Sequence, residues 1–307
     1  MGEAVETAQI DSFLAVVDEG SFTRAAARLH RSQPGVSRQI QRLEEELGES
    51  LLTRSGGRVS LTTAGQKFEG FARETMRALR ALEDELRSTP DALSGVLRIA
   101  ASTTPGQYLV PSMVGAFTAQ HPDVQPEIAI TDSATVVQDV SAGGFDAGFV
   151  GIQKPHPKLE HYVFAHDEVV LAVPRTHRFA GQRSVPLNEL EGERFLEREQ
   201  GSGTRDVVME ALVGEKRTLP SHKTAMVLST TEAVAAAVEQ GQGIGWVSYR
   251  ALEHHDESRV AVVRIRGKRL LRPLYLIHQP VGQLSEPVRT FVEWVRANYP
   301  GPRGGAA

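Results

Sequence analysis

The chain of 307 residues contains no cysteine, which excludes disulfide bonds, thiolate metal sites and thiol-based redox sensing. It also has no apolar run approaching the roughly 20 residues that a membrane-spanning helix needs. The N-terminal stretch MGEAVETAQIDSF is acidic, whereas a secretory signal peptide begins with basic residues. These absences predict a cytoplasmic protein with no membrane partner. The length predicts about two domains, because single cores stop growing at roughly 250–300 residues.

Basic side chains are concentrated in one segment, although the formal net charge of the chain is −4. Between Ser21 and Thr62 there are seven arginines, four glutamates and no lysine, a local net charge of +3. The arginines are Arg24, Arg28, Arg31, Arg38, Arg42, Arg54 and Arg58. A guanidinium group can bind a phosphate or a guanine edge through two hydrogen bonds. The segment therefore predicts double-stranded DNA as a partner, which the charge of the whole chain conceals.

The same segment has the pattern of two helices joined by a tight turn, after a first helix that ends at Gly20. Ser21 and Ser32 are predicted to cap the second and third helices. The predicted buried stripe of the third helix comprises Val36, Ile40, Leu43 and Leu47. The candidate DNA-contacting residues at its start and on its outer faces are Arg31, Ser32, Gln33, Pro34, Ser37, Arg38, Gln41 and Arg42. This arrangement predicts a helix-turn-helix that reads the major groove.

A predicted hairpin follows in TRSGGRVSLTTAG, where a Gly-Gly turn is flanked by Arg54 and Arg58. We expect these two arginines to contact backbone phosphates as the wing of a winged helix-turn-helix. The alternative is that the Arg and Glu side chains form an ordinary solvated helix face. The caps, the outward polar set and the wing agree with one another, and this agreement favours DNA binding.

The run SFTRAAARLHRSQPGVSRQIQRLEEELG closely resembles the helix-turn-helix signature of LysR-type transcriptional regulators. The likeness extends without a gap over about 55 residues, from FLAVV to LTTAG. One departure is LLTRSGGR, where the family usually has a Phe and an acidic residue before the Arg. The departure concerns the packing at the base of the wing.

A heptad pattern follows the wing, in TTAGQKFEGFARETMRALRALEDELRS. The seam consists of Phe68, Ala72, Thr75, Leu79, Leu82 and Leu86. Such a seam predicts a helix that pairs with another helix, and the alternative is an amphipathic helix packed on its own domain. Pro90 and DALSG then predict a hinge. The family resemblance implies that this linker helix dimerises the protein, so we expect a homodimer or homotetramer on a two-fold operator.

From Gly95 onward, strand and helix patterns alternate. Strands are predicted in VLRIAAS, PEIAITD, FDAGFVG and EVVLAVP, with one long helix in PGQYLVPSMVGAFTAQHP. Serial β-α units predict parallel sheets covered by helices on both faces, and the number of strands predicts two subdomains with crossovers near Ala165 and Lys268. The pattern resembles the periplasmic-binding-protein-like effector domain of LysR-type regulators.

Hydroxyl and glycine residues follow several predicted strands at the starts of helices, where ligands bind in open α/β sheets. The candidate effector-binding residues are Ser102, Thr103, Thr104, Ser133, Gly151, Gly201, Ser202, Gly203, Thr204, Thr230 and Thr231. Free N–H groups, hydroxyl donors and helix N-termini suit an anion, so we expect a small anionic effector such as a carboxylate, sulfate or a phosphorylated metabolite. Each hydroxyl taken alone fits a plain helix cap better, but the set taken together favours the pocket. The GSGT turn resembles the subgroup of the family that regulates carbon fixation and sulfur assimilation.

Enzymatic interpretations fit the sequence less well. The glycines of GQGIG lie between a helix and a strand, the reverse of the order in a dinucleotide-binding loop, and GSGTR lacks the Lys-Ser/Thr of a P-loop. The ten histidines show no metal-ligand spacing. We therefore expect no catalytic site, no cofactor and no metal.

Taken together, the sequence predicts an α/β protein with three parts. The expected parts are a winged helix-turn-helix at 1–62, a linker helix at 63–90 and an effector domain of two α/β subdomains at 93–303. Subdomain I is expected to comprise 93–165 and 269–303, and subdomain II 166–268. An effector-independent DNA-binding protein and a solute-binding receptor-like module are the alternatives. The receptor would need a signal peptide and no helix-turn-helix.

Overall fold

The computed structural model describes residues 5–55, 58–87, 93–151, 156–213, 222–253 and 255–301. The chain divides into two compact units, one of residues 1–86 with 142–144 and one of the remaining residues from 87 to 307. Within the described stretches, no helix is long and apolar enough to cross a membrane.

Three helices form the first part of the first unit: α1 (Thr7–Glu19), α2 (Phe22–Arg28) and α3 (Gln33–Leu47). The Ser21 hydroxyl accepts a hydrogen bond from the Arg24 N–H at 3.4 Å, and the Ser32 hydroxyl accepts one from the Gly35 N–H at 3.2 Å. Both hydroxyls satisfy N–H groups that lack a partner within the helix. The two predicted caps are therefore confirmed.

The core of these helices contains most of the predicted stripe. Val36, Ile40 and Leu43 are buried and pack in one cluster with Phe13. The prediction for Leu47 is wrong, because this side chain is 39% exposed. Leu47 is the last residue of α3, and Gly48 ends the helix in the left-handed conformation at φ 68°. No further turn follows to cover it.

The predicted wing is a two-stranded antiparallel hairpin of β1 (Leu52–Ser55) and β2 (Arg58–Leu61). One oxygen of Glu44 accepts hydrogen bonds from the N–H groups of Leu51 and Leu52, at 2.7 and 3.1 Å. This carboxylate on α3 therefore holds the strand that enters the wing.

The helix after the wing, α4 (Thr63–Arg87), runs for 25 residues. Its first half packs on its own unit, because Phe68 lies 5.1 Å from Phe13 between ring centroids and Ala72 is fully buried. Leu82 is 50% exposed in the second half. The N-terminal half of α4 therefore fits the alternative interpretation, whereas Leu82 is left uncovered and its pairing with another helix stays a prediction. The side chain of Leu86 and the predicted hinge at Pro90 lie outside the described residues.

The second unit is built on a mixed sheet. Its hydrogen-bonded path runs in the order β4-β3-β5-β12-β6-β10-β8-β9, with β11 paired to β6 and β7 paired to β11. The strands are β3 (Gly95–Ser102), β4 (Val124–Thr131), β5 (Ala147–Val150), β6 (Glu160–Pro174), β7 (Ser184–Val185), β8 (Arg194–Arg198), β9 (Lys223–Leu228), β10 (Ile244–Ser248), β11 (Val260–Ile265) and β12 (Leu270–His278). The helices are α5 (Thr103–Tyr108), α6 (Val110–Thr118), α7 (Ser133–Ser141), α8 (Gly203–Val213), α9 (Thr231–Glu239), α10 (Tyr249–Leu252) and α11 (Glu286–Asn298).

Two long strands connect the subdomains. The first part of β6 pairs with β12, while its last residues pair with β10 and β11. The prediction of parallel sheets holds for the neighbours β4-β3-β5 and β10-β8-β9, and it is wrong for β6 and β12, which run antiparallel to their neighbours. A strand that crosses between two subdomains need not follow the β-α-β rule that makes neighbouring strands parallel.

The long helix predicted from residue 105 onward is also wrong, because α5 ends at Tyr108 and α6 begins at Val110. Leu109 between them has φ −124° and ψ −53°. Pro111 follows in the first turn of α6, and a proline has no N–H to continue the preceding helix. The proline therefore fixes the break.

Candidate DNA-binding surface and effector cleft

The outer face of α3 presents most of the predicted DNA-contacting side chains to solvent. Ser37 is half-buried, and the exposed residues are Arg31, Ser32, Gln33, Pro34, Arg38, Gln41 and Arg42. Within the described residues, Arg38 and Arg42 make no salt bridge or hydrogen bond through their side chains, so their guanidinium groups are available to a ligand. Arg31 differs, because its Nη1 lies 3.3 Å from the Ser12 hydroxyl and donates to it.

Among the described arginine side chains of this segment, two form ion pairs with carboxylates of the same unit. Arg24 pairs with Glu19 at 3.5 Å, and Arg28 pairs with Asp18 at 3.0 Å. Both arginines contribute to the local net charge of +3, but their charges are compensated by the carboxylates of Glu19 and Asp18. The side chains of Arg54 and Arg58 lie outside the described part, so their phosphate contacts stay a prediction. The basic surface that the structure does show is the N-terminal half of α3.

We expect Arg38→Ala to weaken binding to a specific operator by about 1–3 kcal/mol and to relax the sequence preference, because an arginine fork at a base edge is lost. Gel shifts with specific and random duplexes measure both effects. Arg24→Ala is the matched control, since Arg24 is already paired with Glu19. Equal losses of affinity for specific and random DNA in the Arg38 variant would show that Arg38 contacts only the backbone.

The predicted effector residues of the two subdomains meet at one guanidinium group, that of Arg272 on β12. Its Nη2 donates to the Thr104 hydroxyl at 3.0 Å, and its Nη1 donates to the Thr204 hydroxyl at 3.2 Å. A Cβ at Gly151 would lie 3.1 Å from the same Nη1, so a side chain there would make the guanidinium group shift by a few tenths of an ångström. Arg272 therefore brings Thr104, Gly151 and Thr204 together.

The charge of Arg272 is balanced by Asp167, which is fully buried. Asp167 Oδ2 accepts from Arg272 Nε at 2.9 Å and from Nη2 at 2.7 Å, while Oδ1 accepts from the Ser248 hydroxyl at 2.7 Å. A buried arginine is stable only when such a partner compensates it. The pair is thus a fixed support for the two threonines.

A second buried arginine, Arg198 at the end of β8, holds another predicted residue. Its Nη1 donates to the Thr231 hydroxyl at 2.8 Å, and its Nη2 contacts Glu199 at 2.8 Å. Within the described residues, Arg198 Nε and the buried Ser202 hydroxyl have no hydrogen-bond partner. A buried donor without a hydrogen-bond partner lowers the stability of the folded protein. Such donors are therefore expected where a bound ligand can accept the hydrogen bond.

The glycine turn lies against the start of α7. A Cβ at Gly201, whose φ is +88°, would come within 2.9 Å of Asp132 Oδ1, next to the predicted Ser133. Burial raises the pKa of Asp132, but hydrogen bonds from the Thr135 hydroxyl and from the N–H groups of Thr135 and Ala134 outweigh it, so the pKa lies below its ordinary value. Gly201 and Ser133 are therefore neighbours of an ionised carboxylate.

The remaining predicted residues have more ordinary surroundings. The Thr230 hydroxyl accepts from the Ala233 N–H at 3.0 Å and acts as a helix cap. Ser102 occupies the cap position of α5 but makes no capping hydrogen bond with its side chain. Thr103 and Gly203 are buried at the starts of α5 and α8.

Sequence reasoning missed Arg198, Arg272 and Asp167. Arg198 and Arg272 could have been identified, because each lies in a strand-like run of the sequence, RFLER and LLRPLYLIH respectively. A charged residue within such a run needs a buried partner.

Comparison with known proteins agrees with this geometry. Residues 7–66 match the family model described as a bacterial regulatory helix-turn-helix protein of the lysR family, and residues 90–300 match the LysR substrate binding domain. The RuBisCO operon transcriptional regulator of Allochromatium vinosum is 33% identical over 292 residues, which are 95% of each chain.

Two solved structures are also similar. Full-length CbnR in complex with its target DNA has a TM-score of 0.66 and 26% identity, and the match covers 95% of this chain and 99% of that one. The regulatory domain of CcmR from Synechocystis PCC6803, in complex with 2-PG, has a TM-score of 0.62 and 25% identity over 68% of this chain and 99% of that one. With both parts of the chain matched, this protein belongs to the LysR family of transcriptional regulators.

Proposed function

We propose that this LysR-type transcriptional regulator is controlled by a small anionic metabolite held between its two effector subdomains. The observation that carries the proposal is the direction of three hydrogen bonds. The hydroxyls of Thr104, Thr204 and Thr231 each accept from a buried arginine. Each hydroxyl oxygen therefore keeps its own proton to donate elsewhere, and the guanidinium group polarises that O–H bond.

Hydrogen-bond donors favour one end of the cleft for the anion. Arg272 is paired with Asp167 and Arg198 with Glu199, so neither guanidinium group adds net charge there. The threonine hydroxyls and the unpartnered Arg198 Nε are the donors left for a ligand. The Gly201 turn is less suitable, because the nearby Asp132 carboxylate repels an anion. We therefore place the anionic group of the effector at Thr104, Thr204 and Thr231, with Ser102, Ser133, Gly151 and the 201–203 turn around the rest of the ligand.

The domain bounds follow the same proposal. Residues 1–62 bind double-stranded operator DNA, residues 63–90 form the linker helix that dimerises the chain, and residues 93–303 bind the effector. The complex of CbnR with target DNA and that of CcmR with 2-PG support these two activities in the family. The exposed Leu82 in the second half of α4 supports a homodimer or homotetramer.

The effector acts by favouring one relative orientation of the subdomains. A ligand shifts such an equilibrium only through its different affinity for the two states. Arg272 contacts threonines on both subdomains, so an anion at these hydroxyls interacts differently with open and closed arrangements. The oligomer then converts the shift into a changed spacing or bend at the operator.

Thr204→Ala tests the proposal. A panel of sulfate, phosphate esters and small carboxylates, titrated by calorimetry, first identifies the anion that binds the natural protein. We expect the variant to bind that anion about tenfold or more weakly, since a hydrogen bond to a charged group contributes roughly 1.5–3 kcal/mol. Operator affinity without the anion is expected to stay near that of the natural protein.

The matched control is Thr118→Ala, because the Thr118 hydroxyl bonds only to carbonyl groups of its own helix α6 within the described structure. Unchanged anion affinity in Thr204→Ala, Ser102→Ala and Thr231→Ala would show that these residues are ordinary helix caps. If no anion in the panel binds, the protein regulates DNA without this class of effector.

A further inference from the structure

A cavity lies within subdomain II, between the strands β8 and β10 and the helix α8. Among the described residues, its apolar walls include Phe195, Val208 and Trp246. Phe195 and Trp246 stack with ring centroids 6.4 Å apart and an interplanar angle of 27°. The cavity volume is about 150 Å³. An apolar protein cavity of roughly this volume holds one benzene-sized molecule.

One end of this cavity is polar. Glu197 Oε1 accepts hydrogen bonds from the Thr224 hydroxyl at 2.7 Å and pairs with His222 Nε2 at 2.8 Å. Its second oxygen, Oε2, lies 3.8 Å from Arg205 Nη1 and accepts no hydrogen bond from the described residues. The cavity therefore offers one oxygen that can accept a hydrogen bond from a ligand.

The charges at the polar end are already paired. Arg205 faces the Glu197 carboxylate, and the other lining arginine, Arg198, is bonded to Glu199 at 2.8 Å. Burial raises the pKa of Glu197, but hydrogen bonds from Thr224 and His222 outweigh it, so the carboxyl is ionised at neutral pH. A charged ligand would add an uncompensated charge to an apolar cavity, which is costly. An uncharged ligand adds none.

We propose that this cavity binds a small uncharged aromatic molecule with one hydrogen-bond donor, such as a phenol. The ring lies between the apolar walls, and its donor bonds to Glu197 Oε2. This site adjoins the anion site, because Arg198 and Thr204 belong to both, and it takes a ligand of different chemistry. We therefore expect a ligand in one site to change the affinity of the other.

Fluorescence of Trp246 provides the test in the full chain. The sequence has two tryptophans, so Trp294→Phe leaves Trp246 as the reporter. We expect phenol and toluene to change the emission saturably, phenol at lower concentration, and benzoate to give no saturable change at the same concentrations. If phenol gives no saturable change in emission, the proposal is wrong. If benzoate binds as tightly as phenol, the cavity does not select an uncharged ligand.

Two variants locate the site. Val208→Phe fills the cavity and is expected to abolish the response to both phenol and toluene. Glu197→Gln replaces a charged acceptor by a neutral one. We expect it to lower the affinity for phenol about fivefold and to leave the affinity for toluene unchanged. Glu210→Gln, the same change on the exposed face of α8, is the control and is expected to change neither.

The circular dichroism spectrum reports whether Val208→Phe folds. If it does not fold, the affinities of Glu197→Gln for phenol and toluene still test the site. Equal effects of Glu197→Gln on phenol and toluene would contradict the hydrogen bond to Glu197. A folded Val208→Phe variant that binds both ligands like the natural protein would show that they bind elsewhere.

Discussion

Replacing Asp167 with asparagine is expected to lower the free energy of unfolding of the effector domain by about 3–5 kcal/mol. Asp167 is fully buried and compensates the guanidinium group of Arg272, itself only 3% exposed. The neutral amide leaves this positive charge buried without a counterion. Both tryptophans, Trp246 and Trp294, lie in the second unit, so fluorescence during urea unfolding reports that domain.

Glu168→Gln is the matched control, because it removes a carboxylate from the next residue of the same strand. Hydrogen bonds from Arg264 and then Arg269 lower the pKa of Glu168 to about 2, so this group is also ionised at neutral pH. Its partners remain 38% and 65% exposed, and water screens their charges. We expect a much smaller loss of stability. Equal losses in the two variants would contradict the special role of the Asp167–Arg272 pair.

A double substitution separates charge from packing. Asp167→Leu combined with Arg272→Met removes both charges, and apolar replacements of a buried ion pair are often neutral or stabilising. We expect this variant to unfold at higher urea concentration than Asp167→Asn. We also expect it to lose affinity for the anion, because the support of Thr104 and Thr204 is gone. Stability and effector affinity therefore separate in this variant.

The second large effect concerns the C-terminal half of α4. Replacing Leu79 and Leu82 together with aspartate is expected to dissociate the oligomer, because two charges buried in a helix pair cost several kcal/mol. Leu79 is half-buried and Leu82 is 50% exposed in the single chain, so both can be covered by a second helix. Light scattering should show a smaller particle, and gel shifts should show lost affinity for an operator with two half-sites.

The control places two aspartates on the opposite face of the same helix, at Gln66 and Gly70. Both residues are exposed, and a Cβ added at Gly70 meets no atom within 4 Å. We expect this variant to keep the natural mass. An unchanged mass in the Leu79/Leu82 variant would show that the oligomer is held by another surface.

The DNA-binding unit could be predicted from the sequence because its determinants are local. A cap, a proline in the first turn and apolar residues at steps of four and three specify α3 within 15 residues. The prediction failed at Leu47, where burial depends on how far the neighbouring helices extend. It also failed at the break after Tyr108, because the apolar pattern continues across Pro111 although the proline interrupts the helix.

The proposed effector cleft was only partly predictable. Strand ends and helix starts pointed to Thr104, Thr204 and Thr231, since parallel strands end at one edge of a sheet. The arginines that hold these hydroxyls were missed because the pairing is long-range. Asp167 and Arg272 are 105 positions apart and meet through the pairing of β6 with β12. No periodicity in a single sequence reports such a pairing.

Control by an anion in the cleft is tested most directly by the unfolding temperature of the natural protein and of a Thr204→Ala/Thr231→Ala variant, each with the anion panel. A ligand at 100 times its Kd stabilises the folded state by about 2.7 kcal/mol. We predict that at least one anion raises the unfolding temperature of the natural protein and leaves that of the variant unchanged. An equal rise in both proteins, or no rise with any anion, would contradict an anion site at these threonines.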